Sequence, residues 1–151
     1  MIAIFPGSFD PITTGHENIL RRSLPLFDEI IIAIGTNSTK KYMYSLEQRM
    51  DFIKQTFANE PRIKVESYEG LTTEYCKKSE ANFMLRGLRT SADFEFERAI
   101  AQINRDLQPE LETVFLITSA ELSAISSSII RDIIKSNGDA AQFLPDSLTI
   151  K

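Results

Sequence analysis

The sequence predicts an α/β protein built as one domain, a doubly wound five-stranded parallel sheet with helices on both faces. Three observations predict it. Short aliphatic runs alternate with segments of helical character from one end of the chain to the other, the pattern of strands joined by crossover helices. The 151 residues are 42% hydrophobic and 25% charged, an ordinary composition for a soluble globular chain with one core. No internal repeat, low-complexity tract or linker interrupts them, so a single domain is expected over 1–151.

The first strand is Ile2-Ala3-Ile4-Phe5, followed by a helix at about 15–27. The second strand, Glu29–Gly35, holds the longest uninterrupted aliphatic run, Ile30 to Ile34, which is far too short to span a bilayer, so no membrane association is expected. The next helix, about 46–58, opens with Ser45-Leu46-Glu47-Gln48, a Ser-x-x-Gln capping box. Ile63–Ser67 forms the third strand and 71–80 the third helix. Asn82–Arg86 forms the fourth strand, before a long helix at 92–107 that places Phe96, Ala99, Ile100, Ile103 and Leu107 on one face. Thr113–Thr118 is the fifth strand. The last helix, 127–136, is closed by Asn137-Gly138, where Asn suits left-handed geometry. The arrangement is Rossmann-like, and in such open sheets ligands bind beyond the carboxyl ends of the strands, at the switch in strand order.

Bulk properties exclude several classes of function. A net charge of −4 argues against a general nucleic-acid binder. Cys76 is alone, and the chain has one histidine, so neither a disulfide framework nor a Cys/His zinc site is expected. The N-terminus lacks the regions of a signal peptide, which makes the cytoplasm the expected compartment.

Four segments follow strand ends and carry hydroxyls, cations or glycine: Gly7 to His16, Gly35 to Lys41, Arg86 to Arg89 and Ser119 to Ser128. In the first, a glycine at the strand exit, Ser8 beside it and the only histidine at a helix start suit an anion, because helix N-terminal N–H groups and the helix dipole converge there. His16 can donate to an oxyanion as it forms. Asp10 reads as a turn-former before Pro11 or as a metal ligand. Lys40, after the second strand, is a point charge suited to phosphate. Arg86 and Arg89 flank Gly87, presenting guanidinium forks where the backbone can approach a ligand closely. Ser126, Ser127 and Ser128 open the last helix with more hydroxyls than one cap requires. Phe and Tyr residues, and Cys76, read as core.

The order G-S-F-D-P-x-T-x-G-H, with Thr13-Thr14-Gly15-His16, resembles the nucleotidyltransferase superfamily that carries an (H/T)-x-G-H motif, and Ile125 to Arg131 resembles its I-S-S-(S/T)-x-x-(R/K) signature. Thr13 at the first motif position, Lys40, R-G-L-R (Arg86 to Arg89) and D-F-E-F-E (Asp93 to Glu97) narrow the resemblance to the phosphopantetheine adenylyltransferase family, over about residues 1–146. The chain departs from that family's pattern at Tyr42 and at Leu122-Ser123-Ala124, where Pro or a small residue and bulkier residues respectively are commoner.

The resemblance implies transfer of the adenylyl group of ATP to 4′-phosphopantetheine, giving dephospho-coenzyme A and pyrophosphate, in the biosynthesis of coenzyme A. It implies His16, Lys40 and Arg86 as catalytic residues. ATP would be bound by Ser8, Phe9, His16, Gly87, Leu88, Arg89, Glu97, Leu122, Ser123, Ala124, Ile125, Ser126, Ser127 and Ser128. Phosphopantetheine would be held by Ser8, Lys40, Thr72 and Arg86. Mg²⁺ is expected to arrive with ATP, without a protein cage, and the assembly implied is a homohexamer. The rival readings are another adenylyl- or cytidylyltransferase of the superfamily, or a non-catalytic nucleotide-binding module.

Overall fold

The computed structural model describes residues 1–150. Along them strands β1 (Ile2–Gly7), β2 (Glu29–Gly35), β3 (Ile63–Tyr68), β4 (Phe83–Leu88) and β5 (Glu112–Ile117) alternate with helices α1 (Thr14–Ser23), α2 (Leu46–Thr56), α3 (Thr72–Lys78), α4 (Ser91–Leu107) and α5 (Ser127–Lys135). All strand pairs are parallel, in the order β3-β2-β1-β4-β5. The doubly wound α/β expectation therefore holds, and the reversal of order falls between β1 and β4.

The side chains of β2 show why its run is continuously aliphatic. Ile30, Ile32 and Ile34 pack on one face with Ile19 and Leu20 of α1 and Ile53 of α2. Ile31 and Ala33 pack on the other with Cys76 of α3 and Met84. A central strand covered on both sides has no polar face to show. Each isoleucine buried this way is worth about 1.5–3 kcal/mol. Cys76 is fully buried, and that burial pushes its thiol pKa up to about 11.

Several boundaries differ from the sequence expectation. β1 runs two residues further, to Gly7. The first helix ends at Ser23, because Pro25 has no N–H to continue an α-helix, and Leu24–Leu26 finish as a 3₁₀ turn. β4 extends two residues beyond Arg86, to Leu88, so Gly87 and Leu88 also lie inside the strand rather than after it. α2 has the predicted capping box, with the Ser45 hydroxyl accepting from the Gln48 N–H at 3.2 Å and the Gln48 side chain accepting from the Ser45 N–H at 2.9 Å. Asn137 takes the left-handed conformation after α5, with φ of 58°.

The largest correction concerns α4. Its predicted apolar stripe does not enter the core, and none of its residues is buried. Phe96 is 68% exposed and Ile103 58%. The periodicity is real, but its outer part faces away from the sheet.

Candidate active site

β1 pairs with β2 along its whole length but with β4 only at Ala3↔Phe83 and Ile4↔Met84. Beyond those pairs the two strands part, opening a crevice at the switch point where such sheets hold ligands. Arg86 bridges it, its Nη1 donating to the Pro6 carbonyl at 2.7 Å.

The turn out of β1 is set by packing. Phe9 has φ of 48°, an uncommon conformation for a bulky residue, and its buried ring lies against Gly7. A Cβ on Gly7 would sit 3.0 Å from that ring, so the close approach needs glycine. Thr13 then starts α1. Its Oγ1 accepts from the His16 N–H at 3.3 Å, and the His16 Nδ1 accepts from the Thr13 N–H at 3.1 Å. With Nδ1 occupied as an acceptor, the ring proton of a neutral His16 resides on Nε2. The ring meets Phe9 edge-on at a centroid distance of 5.0 Å. Burial first, and then the charges of Arg86 and Arg89, lower the His16 pKa from 6.5 to about 4. The free protein at neutral pH thus presents a neutral imidazole that can donate from Nε2.

Two clefts meet at this point. The first, about 310 Å³, is lined by Gly7, Phe9, His16, Gly87 and Arg89, with Leu122, Ile125, Ser126 and Ser127 opposite. The second, about 950 Å³, is lined by Ser8, Lys40, Tyr42, Arg49 and Thr72, with Ile100, Asn104 and Leu107 of α4. Pro6, Gly7, Arg86 and Glu97 border both. Glu97 grips Arg86 through a two-pronged pair, accepting from Nε at 2.9 Å and Nη2 at 2.6 Å. Such planar fork geometry fixes the guanidinium as well as neutralising it. By sequence Glu97 reads as a surface carboxylate or a neighbour of Arg98, but Arg98 instead pairs with Glu95. Arg89 pairs with Asp93 at 3.2 Å.

Not every expected contact residue reaches a cleft. The Leu88 side chain is buried, and Ser123, Ala124 and Ser128 do not line either cleft. Ser123 spends its hydroxyl on the Ala120 carbonyl, and Ser128 accepts from Arg131. Of the two serines that line the first cleft, Ser126 caps α5 by accepting from the Ile129 N–H, and Ser127 donates to the Pro11 carbonyl at 2.8 Å. With the Ile129 N–H taken by that cap, the N–H groups of Ser127 and Ser128 in the first α5 turn have no partner within the helix and remain available to an anion. Thr72 shares a hydrogen bond with the Tyr68 hydroxyl at 2.7 Å.

Asp10 is 3% exposed, and both its oxygens are taken by backbone, from Met43 N–H at 2.8 Å and Tyr44 N–H at 2.9 Å. It anchors the β2–α2 loop. Among the described residues no group of three or more His, Cys, Asp or Glu is placed to hold a metal ion. Asp93, Asn104, Thr118 and Arg49 also line the clefts, and the sequence reading assigned them no role there. The signal for the α4 residues was available: Asp93, Glu97, Ile100, Asn104 and Leu107 recur at helical spacing, and that stripe faces the site.

A family model described as cytidylyltransferase-like matches residues 4–133. Proteins named phosphopantetheine adenylyltransferase are similar over almost the whole chain. The one from Flavobacterium psychrophilum is 60% identical, covering 99% of this chain and 98% of its own. That of Flavobacterium johnsoniae is 58% identical, over 99% and 97%, and that of Bacteroides fragilis 44%, over 97% of each. In fold, a bifunctional NMN adenylyltransferase/ADP ribose pyrophosphatase from Francisella tularensis superposes with a TM-score of 0.73 at 15% identity, covering 97% of this chain and 45% of that one. The chain belongs to the cytidylyltransferase-like family and, within it, to the phosphopantetheine adenylyltransferases.

Proposed function

We propose that the first cleft takes ATP and the second 4′-phosphopantetheine, and that the acceptor's phosphate attacks the α-phosphorus of ATP where the clefts meet. The products are dephospho-coenzyme A and pyrophosphate. One observation carries this division above all: two clefts share Gly7, Arg86 and Glu97, with His16 on one side of the junction and Lys40 on the other.

A phosphate monoester has a second pKa near ~6, so the acceptor is largely dianionic at neutral pH and brings its own nucleophile. Catalysis then consists of in-line positioning and stabilisation of charge at the α-phosphate. His16 donates from Nε2 to the developing oxyanion. Lys40, with Ser8 and Thr72, orients the acceptor, and Arg86 lends charge from the position Glu97 gives it. Arg89 and the N–H groups at the start of α5 hold the β- and γ-phosphates of the leaving group. Mg²⁺ enters on the triphosphate. Glu97 and Asp93, the carboxylates lining the first cleft, are paired with arginines, so the ion would be held chiefly by the triphosphate, where it would help neutralise phosphate charge.

The exposed apolar face of α4 supports a homo-oligomer, the homohexamer implied by resemblance, in which second copies cover Phe96 and Ile103. A cytoplasmic location belongs to the same reading. No described helix is long and apolar enough to cross a membrane.

The test is product formation from ATP with a panel of acceptors. Dephospho-coenzyme A formed from phosphopantetheine, with nothing formed from nicotinamide mononucleotide or with CTP as donor, supports the reading. Preference for another acceptor or donor assigns the chain to another activity of the superfamily, and no product from any pair leaves a nucleotide-binding module.

A further inference from the structure

Arg49 is the most deeply buried cation of the second cleft, at 2% exposure, and among the described residues it takes part in no ion pair. A buried guanidinium without a carboxylate is costly unless its position serves something else. Its contacts show what it joins. From the first turn of α2, Nη1 donates to the Ser8 carbonyl at 2.8 Å and Nε donates to the Tyr44 carbonyl at 3.2 Å. The Tyr42 ring covers the guanidinium, with its centroid 4.0 Å from the central carbon. Tyr42 and Tyr44 belong to the loop between β2 and α2, and Ser8 to the turn after β1. The nearest buried carboxylate along this seam, Asp10, is spent on the Met43 and Tyr44 N–H groups and ties the same two segments from the other side.

The loop needs these ties. Asn37 to Lys41 are exposed, and among the loop residues only Tyr44 is buried. Lys40 therefore stands at the tip of a loop whose register against Ser8 is set at its base. We propose that Arg49, capped by Tyr42, is a positioning residue for the acceptor: it fixes the distance between the Ser8 turn and the Lys40 loop, and its uncompensated charge favours the acceptor's phosphate between them. This rests on the reading of the second cleft as the phosphopantetheine side.

The experiment measures kcat and KM for phosphopantetheine and for ATP separately, with melting temperature, in the unaltered protein and in Tyr42→Phe, Tyr42→Leu, Arg49→Lys and Arg49→Met. Tyr42→Phe keeps the aromatic face and is expected to retain more of the kcat/KM for phosphopantetheine than Tyr42→Leu does. Tyr42→Leu and Arg49→Met are expected to lose on the order of tenfold or more in kcat/KM for phosphopantetheine, the scale of effect of small misplacements at reacting groups. The KM for ATP should stay within about twofold, and Arg49→Lys should recover part of the loss. Should Arg49→Met fail to fold, Tyr42→Leu on the partly exposed loop still decides. A Tyr42→Leu protein with unchanged acceptor kinetics overturns the proposal, whether or not its melting temperature falls, and so does an equal rise in both KM values. An unaltered protein that turns over no phosphopantetheine overturns the division of the clefts first, and this proposal with it.

Discussion

Thr13 and His16 cap each other: the threonine hydroxyl accepts the His16 N–H at 3.3 Å while the His16 Nδ1 accepts the Thr13 N–H at 3.1 Å. A contact that serves helix initiation also decides which imidazole nitrogen faces outward with a proton. The same three residues of spacing that make a capping box thus set the chemistry of the site.

His16 is the only histidine, so its titration can be followed by NMR without assignment. The resonances are expected to show the Nε2–H tautomer and no titration between about pH 5.5 and 8, with the midpoint near 4 in the free protein. Because the folded pKa lies below the reference 6.5, the unfolded chain binds the proton first as pH falls. This histidine's contribution to stability is complete above 6.5 and is lost as pH falls towards 4. A midpoint near 6.5 would contradict the packing described for the ring. Bound triphosphate should raise the midpoint, since nearby negative charge favours imidazolium.

Gly7→Ala places a methyl 3.0 Å from the Phe9 ring, which is already held at positive φ. The expected cost is about 1–3 kcal/mol of stability, the range for overpacking. Turnover should fall with it, since the turn carries Ser8. Chemical denaturation and steady-state rates measure both, and an unchanged midpoint would show that the turn has slack the structure does not suggest.

Glu97→Gln removes the charge that grips Arg86 but keeps the side chain's shape. With hydrogen bonds of 2.6 and 2.9 Å at stake, a loss of about 1–3 kcal/mol is expected. The kcat/KM for phosphopantetheine should also fall, because Arg86 would no longer be held at the junction. Thermal melts and kinetics that match the unaltered protein would show Arg86 to be fixed by Pro6 alone.

Phe96→Glu together with Ile103→Glu charges the exposed face of α4. Light scattering should report a smaller particle than for the unaltered protein, with the helical content unchanged. An unaltered protein that is already monomeric would remove the reason given for that face.

Much of the fold was legible because β2 and α2 follow local rules: a continuous aliphatic run for a two-sided strand, a Ser-x-x-Gln box for a helix start. The turn from Gly7 to His16 was legible for the same reason, since its chemistry is compressed into ten residues. What escaped depends on partners distant in sequence. Glu97 grips Arg86 from eleven residues away, and Asp10 binds the Met43 and Tyr44 N–H groups across the β2–α2 loop. Arg49 defies binary patterning altogether, because a cation at a core position reads as a surface residue until its carbonyl partners are seen. For α4, the period shows that an apolar face exists but not whether the sheet or a second copy covers it.

The most direct test of the account is pyrophosphate release from ATP plus phosphopantetheine by the unaltered protein and by His16→Ala, with circular dichroism as a check on folding. The account predicts release that depends on phosphopantetheine, and a folded His16→Ala protein slower by on the order of 10²–10³ in kcat, the loss typical of one oxyanion donor. Acceptor-independent release, or a His16→Ala protein as fast as the unaltered one, would contradict it.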